Sequence, residues 1–496
     1  MAAMSPRAFP LLLALCASCS PRIVAPKLWD QQALETWATP LAAGLSPSYL
    51  TPQEYYAKPV DNLRTYPVYH PDREPPGYRA ELLRRGPQPL IEPDKLRSEA
   101  DWIAAGERVF EELDTPASRC DDPQVLAHFS DGKAVDKYRD ATHDTMTADG
   151  VLLDYRWVVD RDGKLKLSFS SCAGCHSRVM PDGSLLRGAP CNFNLSGAPA
   201  VDRMLAPLRV VPGGTAGQEF YAQYGVPWLA DDPHKRFESM KDEEVDKFNA
   251  QPTGEPPGTT FARFNGSPLY VTRMADLRGV RDRKFLDATG SHVNRGPADI
   301  ARYGILVEYA ESGRFGPHRM SPEFPPLYVR PPDEAMYAMA LYLDSLGPVR
   351  SPHPFDERAR RGQQIFESEG CAKCHTPPLY TNNKLVPVPG FDPPRRDDVS
   401  ERRVGTDPGL ALRTRKGTGY YKVPSLRGVW YRGLYEHDGS VASLEDWFDP
   451  RRLSDDYVPS GWRGPGVEHR AVPGHEFGLD LAPEEKAALI AFLRTL

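Results

Sequence analysis

The sequence predicts a mainly α-helical protein with extensive ordered loops, divided into two related units, the first of which carries a small β-hairpin insertion. Three observations lead there. An amphipathic helix, a Cys-x-x-Cys-His pentapeptide and a second amphipathic helix follow one another twice along the 496 residues. Proline contributes 51 residues, about twice its ordinary share. The stretch from 177 to 330 is rich in Gly and Pro and has few long periodic segments. Hydrophobic residues at 40% and charged residues at 26% describe a globular chain, neither a disordered tail nor a multi-span membrane protein. Length alone allows roughly three domains; the repeated frame supports two. A formal charge of −6 leaves no basic excess to neutralise phosphates and argues against nucleic acid as a partner.

Residues 1–19 read as a secretory signal: Arg7, an apolar run from Ala8 to Leu15, then small residues. The run is too short to span a bilayer as a stable helix. Its end, Leu15-Cys16-Ala17-Ser18-Cys19, resembles a bacterial lipoprotein box with Cys19 as the acylated residue, although Cys16 stands where leucine is usual; plain cleavage is the competing reading. Both place the mature chain outside the cytoplasm, periplasmic or anchored to the outer membrane and extracellular. No later segment approaches about 18 uninterrupted apolar residues. Residues 20–97 form an N-terminal extension.

The first unit, 98–348, opens with Ala104-Ala-Gly106-Glu-Arg-Val109-Phe110 and closes with a helix over Glu334–Leu346. The second, 349–496, opens with the helix Asp356–Phe366 and closes with Pro483–Leu496. Acidic residues crowd the first turn of both closing helices, where the helix dipole favours them. From Phe110 the chain takes 62 residues to reach Cys172, against five from Phe366 to Cys371 in the second unit. The insertion includes Tyr155–Phe169, which alternates around Asp162-Gly163 and predicts a β-hairpin. A helical run is expected from Pro297 to Ala310.

The pentapeptides are Cys172-Ala-Gly-Cys175-His176 and Cys371-Ala-Lys-Cys374-His375. This is the attachment signature of c-type haem. Two thiols add across the vinyl groups, and the adjacent histidine lies beneath the ring as proximal iron ligand. A zinc ribbon would place its pairs about 15–20 residues apart, whereas these are 199 apart. The expectation is two covalently bound haem c groups in two cytochrome c-type domains. Cys120 and Cys191 remain, an even pair expected to form a disulfide that pins the insertion.

A haem iron ligated on both faces passes electrons, and an open face can activate oxygen or peroxide. The ten methionines end at Met339, so no Met/His pair can arise within the C-terminal unit. His475, in Pro473-Gly-His-Glu-Phe-Gly478 just before the last helix, is the favoured distal ligand, with His469 and Tyr457 as runners-up. For the first haem, the segment from Met274 to Arg295 offers Phe285 as an apolar lid, His292 as ligand or acid–base group, and Arg295 as a propionate or oxygen partner. A hydrogen-bonded loop residue is an equally good account of His292.

Two such motifs in one exported chain resemble the bacterial di-haem cytochrome c peroxidase superfamily. The most specific match is Tyr421-Lys-Val-Pro-Ser-Leu-Arg427-Gly-Val-Trp430, continuing to Tyr435-Glu-His437-Asp438-Gly439-Ser-Val-Ala-Ser-Leu444. It is similar to the family's K-x-P-x-L-R…H-D/N-G-S segment between the haems. The resemblance covers roughly 98–496 and is strongest from 356 onward. It implies a reactive haem at His176, an electron-relaying haem at His375, Arg427 on a propionate, and His437 orienting its segment without ligating iron. The sequence lacks the peroxidases' phenylalanine-tryptophan-aspartate-glycine-arginine segment and their methionine distal to the second haem. The long interhaem region and the histidine in the final loop look closer to the rubber-oxygenase-like branch. The resemblance leaves calcium open as a further ligand, which no carboxylate cluster supports. The expected function is an exported oxidoreductase using peroxide or oxygen, with a small cytochrome or cupredoxin, or a small-molecule oxidant or substrate, as partner. A non-catalytic electron carrier with both irons six-coordinate is the alternative; a redox or sensory lipoprotein anchored at Cys19 is the third reading.

Overall fold

In the computed structural model the described residues are 23–142, 146–192, 211, 213–253, 259–260, 266–308, 313–314 and 329–496. The signal segment, with Cys16 and Cys19, lies outside them. The fold is helical, with small antiparallel sheets, and its frame is one helix crossing used twice. Helix α1 (Glu99–Glu112) is opened by a capping box: the Ser98 hydroxyl accepts from the Asp101 N–H and the Asp101 carboxylate accepts from the Ser98 N–H. It buries Trp102, Ala105, Gly106, Val109 and Phe110, a 3–4 spacing that gives one apolar stripe. Helix α2 (Pro297–Glu308) and helix α3 (Asp333–Ser345) pack in turn, and α3 lies against α1.

The crossing of α1 and α3 depends on Gly106. A Cβ there would sit 2.0 Å from the Ala338 carbonyl oxygen and 2.9 Å from the Tyr342 Cβ. Helix α4 (Glu357–Ser368) and helix α5 (Pro483–Arg494) cross in the same way: a Cβ on Gly362 would lie 1.9 Å from the Ala488 carbonyl oxygen and 2.8 Å from the Phe492 Cβ. Only glycine allows either approach.

The duplication runs on into the loops. Leu277-Arg278-Gly279-Val280 and Leu426-Arg427-Gly428-Val429 stand 149 residues apart. At the same offset Gly279 and Gly428 have φ of +68° and +78°, and Asp287 and Glu436 hold the left-handed region at +66° and +64° without being glycine. Ser291 and Ser440 close the repeat. The two copies clasp reciprocally. The Arg273 N–H donates to the His437 carbonyl and the Lys422 N–H to the Ala288 carbonyl, both at 3.0 Å. Each partner is the other's equivalent, as across an isologous two-fold interface.

The predicted hairpin is present as Val151–Val159 paired with Leu165–Phe169, turning at Asp162-Gly163. A strand the hairpin prediction did not include, Thr65–Tyr69 from the N-terminal extension, pairs with its first arm. The extension is structural elsewhere too: Leu28, Trp29, Leu34, Trp37 and Tyr55 enter one hydrophobic cluster with Val109, Phe110 and Met336. The 177–330 region holds more helix than its Gly and Pro content suggested, in Ala216–Tyr224, Asp242–Asn249 and α2. The expected Cys120–Cys191 disulfide is not formed. Cys120 carries a free thiol beside the hairpin cluster, and Cys191 is buried with Cys175 and Met274 in a different one. Among the described residues, no helix is long and apolar enough to cross a membrane.

Candidate functional site

Both Cys-x-x-Cys-His motifs open onto one cavity, with about 2740 Å³ of atom-free space including its mouth. Cys172–Cys175 form a single helical turn, held where the Ser170 hydroxyl accepts from the Gly174 N–H. The second motif begins in a short 3-10 turn after Gly370 at φ +72°. Each histidine is then oriented through Nδ1. His176 Nδ1 lies 2.9 Å from the Ala275 carbonyl oxygen, and His375 Nδ1 lies 3.1 Å from that of Pro424. Ala275 and Pro424 are equivalent in the repeat. A carbonyl can only accept, so Nδ1 carries the proton and Nε2 is the nitrogen left with a lone pair for a metal.

His475 faces His375 across the cavity. Their ring centroids are 6.2 Å apart, with the planes at 53°. Two imidazoles on opposite faces of one iron, each nitrogen about 2.0–2.1 Å from it as metal–imidazole bonds are, need close to this separation. Burial, the neighbouring His375 and Arg452 push the His475 pKa down to about 3, and burial lowers that of His375. Both are neutral imidazoles, the form that binds metal. His475 holds a left-handed backbone at φ +50°, anchored by its N–H to the Val404 carbonyl and by Arg452 Nη2 to its own carbonyl. Trp447 and Phe477 pack edge-on against the ring at 5.0 and 5.3 Å.

The charges suit a group bearing carboxylates. Among the described residues, Arg273, Arg283, Arg402, Arg432, Lys416 and Lys422 line the cavity against only Asp276, Asp287 and Glu436. Burial, with Arg283 beside it, lowers the Lys422 pKa to about 7. Burial, with Arg432 nearby, lowers that of Arg273 to about 10. Cations held at such a cost in one cavity match the propionates that two haems would bring. Thiols, imidazole orientation, spacing and charge together fit haem.

Phe285 lines the cavity, and its ring packs with Leu385, Val399 and Tyr420. His292 does not line it. It is fully buried, with Nε2 2.8 Å from the Tyr49 hydroxyl, Nδ1 2.9 Å from that of Ser291, and the ring 4.1 Å from Trp37. Burial drives its pKa to about 3, as suits a neutral packing residue. Arg295 is also away from the cavity, paired with Asp299 at 2.7 Å at the start of α2 and bonded to Thr36. Arg427 ion-pairs with Asp282 and does not line the cavity. His437 does, stacked on Tyr421 at 4.5 Å. His469 is exposed, and neither it nor Tyr457 reaches the cavity wall. The sequence reading missed Asp287, Tyr303, Lys416 and Lys422 as cavity residues; aligning the chain with itself at the 149-residue offset would have marked Asp287 and Lys422.

A second constellation mimics a nucleophilic triad. His234 lies 2.9 Å from Asp232 and 2.7 Å from the Ser267 hydroxyl. Ser267 and His234 are fully buried, and the hydroxyl accepts from the Leu269 and Tyr270 N–H groups. It braces a loop. Among the described residues, no group of three or more His, Cys, Asp or Glu could hold a metal ion, and nothing places calcium.

No family model matches the chain. It is 30% identical over 197 residues to the cytochrome-c peroxidase IdrP1 of Pseudomonas sp. strain SCT, covering 33% of this chain and 49% of that one. To the methylamine utilization protein MauG of Methylorubrum extorquens it is 28% identical over 139 residues, covering 28% and 34%. Over about a third of its length the chain is similar to proteins of the bacterial di-haem cytochrome c peroxidase superfamily. It spans about half or less of the length of these relatives. Among solved structures, a MauG-like protein associated with microbial copper homeostasis is 18% identical, covering 50% of this chain and 76% of that one, at a TM-score of 0.31. The diheme peroxidase BthA of Burkholderia thailandensis is 20% identical, covering 50% and 74%, at 0.23.

Proposed function

We propose that the chain is an exported di-haem oxidoreductase of the peroxidase type, with one haem c attached at Cys172 and Cys175 and the other at Cys371 and Cys374, one in each of two cytochrome c-type domains. The observation that carries this reading is the single cavity joining His176 to the His375–His475 pair. His375 and His475 would hold the second haem between them, and a haem so held would serve as an electron relay. Reaction with a small oxidant, hydroperoxide or dioxygen, then belongs to the His176 site. Bound there, haem iron supplies one-electron chemistry at any face without a protein ligand. The chain's own part is to fix the imidazoles through Ala275 and Pro424, neutralise the propionates with the cavity arginines and lysines, and exclude bulk water with Phe285, Leu286 and Val307. The likeness to the rubber-oxygenase-like branch rests on the long interhaem region and on His475 in the final loop, and the electron source would be a small cytochrome or cupredoxin.

Haem counting and turnover with the purified holoprotein test this. Two haems per chain are expected, together with peroxide- or dioxygen-dependent oxidation of a reduced cytochrome or cupredoxin. Replacing Cys172 and Cys175 by Ser should abolish that oxidation and leave the absorption of the second haem in place. A protein with two haems that consumes neither oxidant would be an electron carrier instead.

A further inference from the structure

We propose that Lys416, held by Asp287 and Tyr303, is the proton donor to a hydroperoxide bound at the His176 site; this rests on the function proposed above and names the acid–base group within it. Three separate pieces of chain converge here. Asp287 follows the strand Phe285–Leu286, Tyr303 comes from α2, and Lys416 comes from the loop after Gly409–Leu412 in the second half. Lys416 Nζ lies 2.8 Å from Asp287 Oδ2, and the Tyr303 hydroxyl donates to the same oxygen. The side chains of Lys416 and Asp287 are only 8% and 4% exposed, yet all three residues line the cavity.

The internal repeat separates what is scaffold here from what is special. Asp287 and Glu436 occupy equivalent positions with the same left-handed backbone. That strain comes with the repeated fold and needs no functional cause. Their partners differ. Glu436 has one buried oxygen without a hydrogen-bond partner, and its ionic contact is His437 at 3.6 Å. Asp287 alone has recruited a lysine and a tyrosine. Asp287 and Tyr303 belong to the half that carries His176, and with Lys416 they line the cavity onto which His176 opens. A buried ion pair is weak support for stability, because apolar residues of similar size do as well. Its placement on a cavity wall is therefore better explained by chemistry there.

Lys416 presents N–H donors at a fixed position in a water-poor site, where they act on charge that develops during reaction. As the O–O bond of hydrogen peroxide breaks, the Lys416 ammonium gives one proton to the departing oxygen, which leaves as water. The two electrons taken up come from the haem centres and are restored by the one-electron protein donor. Solvent returns the proton to Lys416 and supplies the second proton for the remaining oxygen. Asp287 is a positioning residue that keeps the ammonium aimed, and Tyr303 positions Asp287.

Fluoride titration of the ferric holoprotein tests the assignment, since bound fluoride reports a neighbouring donor in its affinity and its absorption maximum. Lys416→Met should weaken fluoride binding by about tenfold or more, the worth of one charged hydrogen bond. Lys416→Arg should restore most of it, with the His375–His475 low-spin absorption unchanged throughout. Should Lys416→Met fail to fold, Tyr303→Phe decides: it keeps the ion pair and should still shift the fluoride absorption maximum. Wild-type affinity and maximum in Lys416→Met, or an unmoved maximum in Tyr303→Phe when that variant decides, would overturn the assignment alone. A wild-type protein that takes up neither fluoride nor cyanide would overturn the open-site reading and this assignment with it.

Discussion

Arg273 and Lys422 exchange the same contacts across the centre of the molecule. Each donates its backbone N–H to the other half's loop at 3.0 Å. Each also reaches a second carbonyl with its side chain at 3.4 Å, Arg273 that of Leu434 and Lys422 that of Phe285. The two cations are therefore related by a pseudo-two-fold axis, and both line the cavity that the two Cys-x-x-Cys-His motifs share.

A positive charge in that cavity would favour the reduced state of a haem iron bound there. Lys422 is held to about 7 by burial and by Arg283, so it is charged below that pH and neutral above it. Lys422→Met should lower both midpoint potentials at pH 6 by on the order of 50 mV, the Coulomb energy of one charge at about 10 Å in an effective dielectric of about 20. At pH 8 the difference should fade. Arg273, lowered only to about 10, should give a shift at both pH values when replaced by Met. Spectroelectrochemical titration at the two pH values checks the contrast.

The two glycine crossings should respond alike. Gly106→Ala and Gly362→Ala each press a methyl group against a carbonyl oxygen and should cost about 1–3 kcal/mol or more. Urea unfolding monitored at both haems should show a lower midpoint for each variant with little change in slope. An unaffected Gly362→Ala would mean that α4 and α5 are not as closely packed as described.

The Asp287–Lys416 pair makes a pH-dependent contribution whose sign is fixed. Burial works to raise the Asp287 pKa, but the Lys416 charge and the hydrogen bonds from Lys416 and Tyr303 hold it at about 2, below the ordinary aspartate value. The pair's stabilisation is therefore complete above about pH 4 and lost as pH falls toward 2. Asp287→Asn leaves a buried ammonium unpaired and should cost about 3–5 kcal/mol near neutrality. Asp287→Asn combined with Lys416→Met should cost less than the sum of the two single changes. A thermodynamic cycle by urea unfolding at pH 7 and pH 3 measures both effects.

The frame was legible because it rests on local signals. Capping residues and 3–4 apolar spacing identified α1, α3, α4 and α5, the two pentapeptides marked residues that line the cavity, and the Asp162-Gly163 turn identified the hairpin. His475 could be singled out because no methionine follows the second motif and a loop leads into α5. What failed depended on contacts between distant segments. His292 reads as an acid–base group in isolation, but Tyr49, 243 residues away, takes up its Nε2. Arg427 meets Asp282 across 145 residues. Lys416 looks like an ordinary loop lysine until the fold sets it against Asp287. The Cys120–Cys191 pairing followed from an even count of thiols, and counting carries no information about which cluster each one packs in.

The central claim is that the two irons differ, one closed by His375 and His475 and the other open to a small oxidant. Electron paramagnetic resonance of the ferric holoprotein tests it most directly. The account predicts one low-spin signal, which His475→Ala removes, and one high-spin signal that shifts when cyanide is added. Two low-spin signals that persist in every redox state, with peroxide present, would contradict it.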